Sequence, residues 1–99
     1  MKGEPTRRFR IAGRVWRWLY RPMRTTWGLC DYSSRTITVD PRHDGLERLD
    51  TELHEALHAL QAFATEDHTA QVASTLAVIL YGLGYRRTEP GRGRVYTGD

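Results

Sequence analysis

Hydrophobic and polar positions alternate at the start of the chain and switch to helical spacing further along. From Arg8 the run Arg-Phe-Arg-Ile-Ala-Gly-Arg-Val sets apolar residues between basic ones, the signature of a half-buried strand interrupted near Gly13. Trp16, Trp18 and Tyr20 then alternate with Arg17, Leu19 and Arg21. That stretch fits an extended strand, but it also fits a short helix over 12–20 with Ile11, Val15 and Leu19 on one side, and both assignments stand at this point. Trp27 to Tyr32 and Arg35 to Val39 predict a hairpin, because β-branched residues alternate on its second arm and Ser33-Ser34 supplies the turn. Pro41 ends it.

Helical spacing follows. Asp44 is a candidate N-cap with Glu47 three residues on, and Leu46, Leu49, Leu53, Leu57 and Leu60 recur at intervals of three and four. The spacing predicts a helix from Leu46 to about Phe63 with the leucines as its buried face. A second helix is predicted from about Glu66 to Tyr81, capped by Thr65, with Val72, Leu76, Ile79 and Leu80 on its apolar face and Gly82 and Gly84 as stop signals. No internal repeat is present. The expected class is α+β, a small β-hairpin or short antiparallel sheet packed on two main helices.

Ninety-nine residues suit a single domain over 1–99, subdivided by composition into a basic, aromatic-rich segment at 1–24, a core at 25–85 and a flexible Gly- and Arg-rich tail at 90–99, in which Arg94 to Thr97 alone carries an ordering signal. The one cysteine, Cys30, excludes an internal disulfide and reads as a small buried apolar residue. The longest apolar run, Leu76 to Tyr81, is six residues, far short of the roughly twenty that a bilayer span requires, and the Arg-rich N-terminus lacks an apolar signal-peptide core. A cytoplasmic protein with no membrane partner is expected. Charge divides unevenly: residues 1–24 carry eight Lys or Arg against Glu4, a balance of +7, and the remainder carries −4. Such a basic segment fits nucleic acid, with Phe9, Trp16, Trp18 and Tyr20 available for base stacking, although aromatic residues on one strand face are more often core.

The first long helix contains His54-Glu55-Ala56-Leu57-His58, an HExxH pattern. Residues four apart share a helix face, so both imidazoles can reach one ion, while Glu55 can act on a metal-bound water. With four His and six Glu in the chain, chance would produce the pattern with a frequency on the order of 1 per cent. A catalytic zinc also needs a third protein ligand. The metzincin extension is excluded because the position six after His58 is Ala64. His68, at the start of the second helix, is the preferred third ligand because imidazole suits zinc; Glu66 and Asp67 beside it are the alternatives, both also natural charges for a helix N-terminus. His43 reads as a solvent-facing loop residue.

The succession Gly28-Leu29-Cys30-Asp31, Arg35-Thr36-Ile37-Thr38-Val39-Asp40, then Thr51-Glu52-Leu53-His54-Glu55-Ala56-Leu57-His58-Ala59-Leu60 and a second helix resembles a minimal zincin of phage or bacterial type, related to the SprT-like and ImmA/IrrE families, over about residues 27–84. The resemblance implies a zinc metallopeptidase acting on a protein or peptide, with Zn2+ on His54, His58 and a third residue and Glu55 as general base. SprT-like members complete the site with a His at the start of the next helix, matching His68; ImmA/IrrE-like members use an acidic residue there, matching Glu66 or Asp67. It also implies that an extended peptide adds to a sheet edge, expected near Ile37 to Val39, and Tyr32, Tyr81 and Tyr85 are candidates for stabilising an oxyanion. Two alternatives to a peptidase remain: a purely structural zinc, which a small disulfide-free domain could use as a staple, and a small nucleic-acid-binding protein with such a zinc.

Overall fold

A computed structural model of the chain describes residues 5–88. The expected flexible tail at 90–99 and Arg94 to Thr97 lie outside the described residues. Four strands and two helices follow in order: β1 (Arg7–Ile11), β2 (Arg14–Tyr20), β3 (Gly28–Asp31), β4 (Thr36–Val39), α1 (Gly45–Leu60) and α2 (Glu66–Gly82). The class is α+β, as the patterning predicts.

The alternating basic and apolar residues form a hairpin, and the open choice for 12–20 resolves as strand. Ile11 faces Arg14 across a two-residue turn in which Ala12 has φ 52° and Gly13 φ 81°, the left-handed pair that a tight hairpin needs. Sheet order is β1-β2-β4-β3. The β1–β2 and β3–β4 pairs are antiparallel, but β2 and β4 run parallel, so the sheet is mixed where a short antiparallel one was expected. The crossover at 21–27 carries the chain to the far edge before the hairpin turns β4 back beside β2. As a result Ile37 to Val39 lies on an interior strand, paired on both sides, and the strand with an open edge beside the helices is β3.

Trp16 and Trp18 of β2 join Ile37 and Val39 of β4 in one buried cluster, closed by Ala59 of α1 with Ala56 packed against it. The basic segment therefore supplies two of the five buried residues of this cluster, and the compositional boundary at residue 24 does not divide the packing. Both indoles are core residues. Against two indoles α1 has room for little more than alanine. That accounts for a departure from the leucine pattern: the buried residues of α1 are Arg48, Glu55 and Ala59, while Leu46 and Leu60 are exposed. Its N-cap is Asp44, whose side chain makes no capping bond, so the expected capping box does not form.

Thr65 does cap α2, accepting the His68 backbone N–H at 3.1 Å. Thr69, Ala73 and Ala77 of α2 are fully buried, and small residues at these positions let the two helices approach closely. Between β4 and α1, the buried Asp40 accepts from the backbone N–H groups of Met23 (2.8 Å) and Arg42 (3.0 Å) and from the Arg42 guanidinium, which holds its carboxyl well below the usual range. This knot fixes the crossover to the start of α1. Among the described residues no helix is long and apolar enough to cross a membrane.

Candidate metal centre

Consecutive turns of α1 carry His54 and His58, and their Nε2 atoms stand 3.0 Å apart. The turn at 61–64 folds the chain back so that Glu66, the first residue of α2, meets both rings. Glu66 Oε2 lies 2.9 Å from His54 Nε2, and Oε1 lies 2.9 Å from His58 Nε2. The three offer one ligand atom each, all within 4.8 Å of one another, and no other group of three or more His, Cys, Asp or Glu among the described residues does so.

The geometry favours Glu66 over His68, the preferred third ligand. Glu66 completes the group and His68 does not belong to it, nor does Asp67. One helical step separates neighbours by about 100°, so only one of residues 66, 67 and 68 can face the end of α1. Position 66 takes that direction, leaving His68 exposed. A first-turn carboxylate also complements the helix dipole of α2.

The donor set suits zinc. Tetrahedral nitrogen and oxygen ligands about 2.0–2.1 Å from zinc stand about 3.3 Å from one another, so the observed separations need only a few tenths of an ångström of opening to admit the ion. Two imidazoles and one carboxylate would leave a fourth position on a tetrahedral ion free, a ligand set that zinc sites in general use.

Glu55 is buried at 9% exposure on the neighbouring face of α1. Burial pushes its carboxyl above the ordinary range; His58 opposes the shift and the Glu66 charge adds to it. Space for this side chain comes from β3. A Cβ on Gly28 would stand 2.7 Å from Glu55 Oε2 and 2.9 Å from Thr51 Cγ2, so no side chain fits at 28 unless Glu55 moves. Nothing in the sequence marks Gly28 for this role, because the close approach exists only after β3 and α1 are packed.

A cavity of about 730 Å³ opens over the group, walled by Trp27, Leu29 and Tyr32 on one side and Ala70 on the other. Of the three candidate tyrosines only Tyr32 lines it; Tyr81 and Tyr85 border a separate cavity with Arg48 and Glu52. The Tyr32 ring packs edge-on against Trp16, and its hydroxyl donates to the His58 carbonyl oxygen at 2.8 Å. Cys30 is half-buried in the same wall, and burial pushes its thiol up to about 11. His43 is not a free loop residue: it stacks on Trp27 with ring centroids 3.5 Å apart. Comparison of the chain with protein-family models, curated proteins and solved structures finds no match.

Proposed function

We propose that the protein is a zinc-dependent peptidase in which His54, His58 and Glu66 hold the metal and Glu55 is the general base. The observation that carries this is a buried carboxylate of raised pKa next to three converging ligands, all bordering one open cavity. A donor set of two histidines and a glutamate agrees with the ImmA/IrrE-like pattern among the families that the sequence resembles. Bound there, zinc would supply a Lewis acid and an acidified water. Glu55 would take the proton from such a water and pass it to the leaving amine, and burial, by raising its carboxyl above the ordinary range, makes it a stronger base than an exposed glutamate. The free edge of β3 borders the same cavity and offers backbone groups to an extended peptide.

Glu55→Gln tests the assignment. Activity on an unstructured protein substrate should fall by about 1,000-fold or more, with one zinc per chain retained. A variant that binds zinc and still cleaves removes Glu55 as the base. Wild type that unfolds on chelation and cleaves nothing points to a structural metal.

A second function is supported by the opposite face of the sheet. Strand alternation places Arg8, Arg10 and Arg17 there, and Arg8 faces Arg17 directly across the β1–β2 pair. Like charges so placed repel, and none of the three has an ion-pair partner among the described residues. We infer a phosphate-binding face suited to nucleic acid, whose signature is an oligonucleotide affinity that falls steeply with salt.

A further inference from the structure

α2 packs on α1 and has no other substantial neighbour among the described residues. Its buried face consists of Thr69, Ala73 and Ala77; of its large aliphatic residues Leu76 is 37%, Ile79 49% and Leu83 71% exposed, while Val72 and Leu80 are half-buried. Val72, Leu76, Ile79 and Leu83 fall within about 60° of arc on the helix. Their 4-3-4 spacing is that of a coiled-coil seam. From Thr69 to Tyr85 the chain contains no charged residue. A surface helix ordinarily turns a polar face to water, and a continuous apolar stripe in its place marks an interface.

We propose that two copies of the chain associate through this seam, their α2 helices antiparallel about a two-fold axis near Leu76 and Ile79. An isologous contact requires a surface to accept itself, and an uncharged seam does so without repulsion. Charge at the helix ends selects the antiparallel orientation. The antiparallel arrangement brings the N-terminal end of each α2 toward the C-terminal end of the other copy, where Arg86 lies over the Tyr81 ring, so that the helix dipoles oppose; Glu66 stays turned toward His54 and His58. Parallel pairing would instead set acid against acid and align the helix dipoles.

The area sets the strength. A 17-residue helix is about 25 Å long, and one side of it presents on the order of 400–500 Å² per copy, hence about 800–1,000 Å² in all. That is the lower end of specific interfaces, so the dimer is reversible, with a dissociation constant in the micromolar range or weaker. Because α2 begins with Glu66, covering its free face steadies that carboxylate against His54 and His58. The association itself is independent of the metal and of the peptidase reading.

Sedimentation of the full chain from about 5 to about 500 µM tests it, alongside Ile79→Glu and Leu83→Glu. Wild type should pass from 11.4 kDa toward twice that mass, and both variants should stay at 11.4 kDa with unchanged circular dichroism. A wild type that is monomeric throughout overturns the proposal and assigns the face to another partner; variants that dimerise like wild type overturn the choice of surface. Should Ile79→Glu fail to fold, Leu83→Glu at the exposed helix end decides alone. For orientation, with Cys30 replaced by Ser, Ile79→Cys should form an intermolecular disulfide and Leu83→Cys should not. Equal cross-linking of both overturns the antiparallel arrangement.

Discussion

The two helices are nearly equal in length and contribute to one site, yet they are built on opposite plans. α1 carries charge along most of its length and buries Arg48, Glu55 and Ala59, so the carboxylate proposed as the base lies inside the packing between sheet and helix. α2 confines its charge to Glu66 and Asp67, buries small residues, and leaves large aliphatic ones uncovered. The difference shows how a small domain can hold a polar site together. α1 is fixed by the tryptophan core, so His54, His58 and Glu55 inherit its rigidity. Among the described residues α2 is held mainly through α1, and it contributes its first residue to the ligand group and Ala70 to the cavity wall. The proposed ligand set is therefore two parts anchored and one part hinged.

Removing the hinged ligand has the largest effect. Glu66→Ala should lower zinc affinity by about 100-fold or more, while His68→Ala, two residues along the same helix, should leave it within about twofold. Competition with a chromogenic chelator measures both. Equal losses would put His68 in the site and dissolve the contrast between the helices. Chelation of the wild type should also loosen α2 more than α1, because Glu66 ties α2 to both histidines, and amide exchange along the two helices reads that difference.

A smaller effect is expected on the anchored side. Gly28→Ala pushes a methyl group into Glu55 and Thr51 at distances under 3.0 Å. Overpacking of this kind costs about 1–3 kcal/mol of stability. Displacement of the base by a fraction of an ångström should lower kcat by about 10- to 100-fold with zinc affinity unchanged. Were kcat to hold while stability fell, Glu55 would have a structural role only.

Much of this arrangement was legible in the residues. Both helices, the β3–β4 hairpin, the HExxH turn pair and the Thr65 cap follow from spacing and from local backbone chemistry, which act within a few positions. What was not legible depends on packing between distant segments. The leucine stripe of α1 implied a leucine core, but Trp16 and Trp18, some forty residues earlier, occupy that volume and admit only Ala56 and Ala59. The parallel pairing of β2 with β4 and the clearance at Gly28 are likewise properties of the assembled sheet. Glu66 is an intermediate case: its residue type and place were visible, and its direction was fixed only once the turn at 61–64 set the angle between the helices.

The smallest predicted effect concerns the two helix starts. Thr65 accepts the His68 N–H and so satisfies one of the donors that α2 leaves open, whereas Asp44 makes no such bond at the start of α1. Thr65→Ala should then destabilise the protein by about 1 kcal/mol, and Asp44→Ala by no more than the few tenths that a charge near a helix N-terminus contributes. Urea unfolding of both variants resolves the difference. Because the cap lies next to Glu66, fraying the first turn of α2 moves the hinged ligand and not the anchored pair. Thr65→Ala should therefore also weaken zinc binding several-fold, by an amount matching its loss of helix stability, while Asp44→Ala leaves zinc binding unchanged. A cap that matters for stability without mattering for zinc would mean that Glu66 is held by its contact with the histidines alone, and that α2 is less of a hinge than its packing implies.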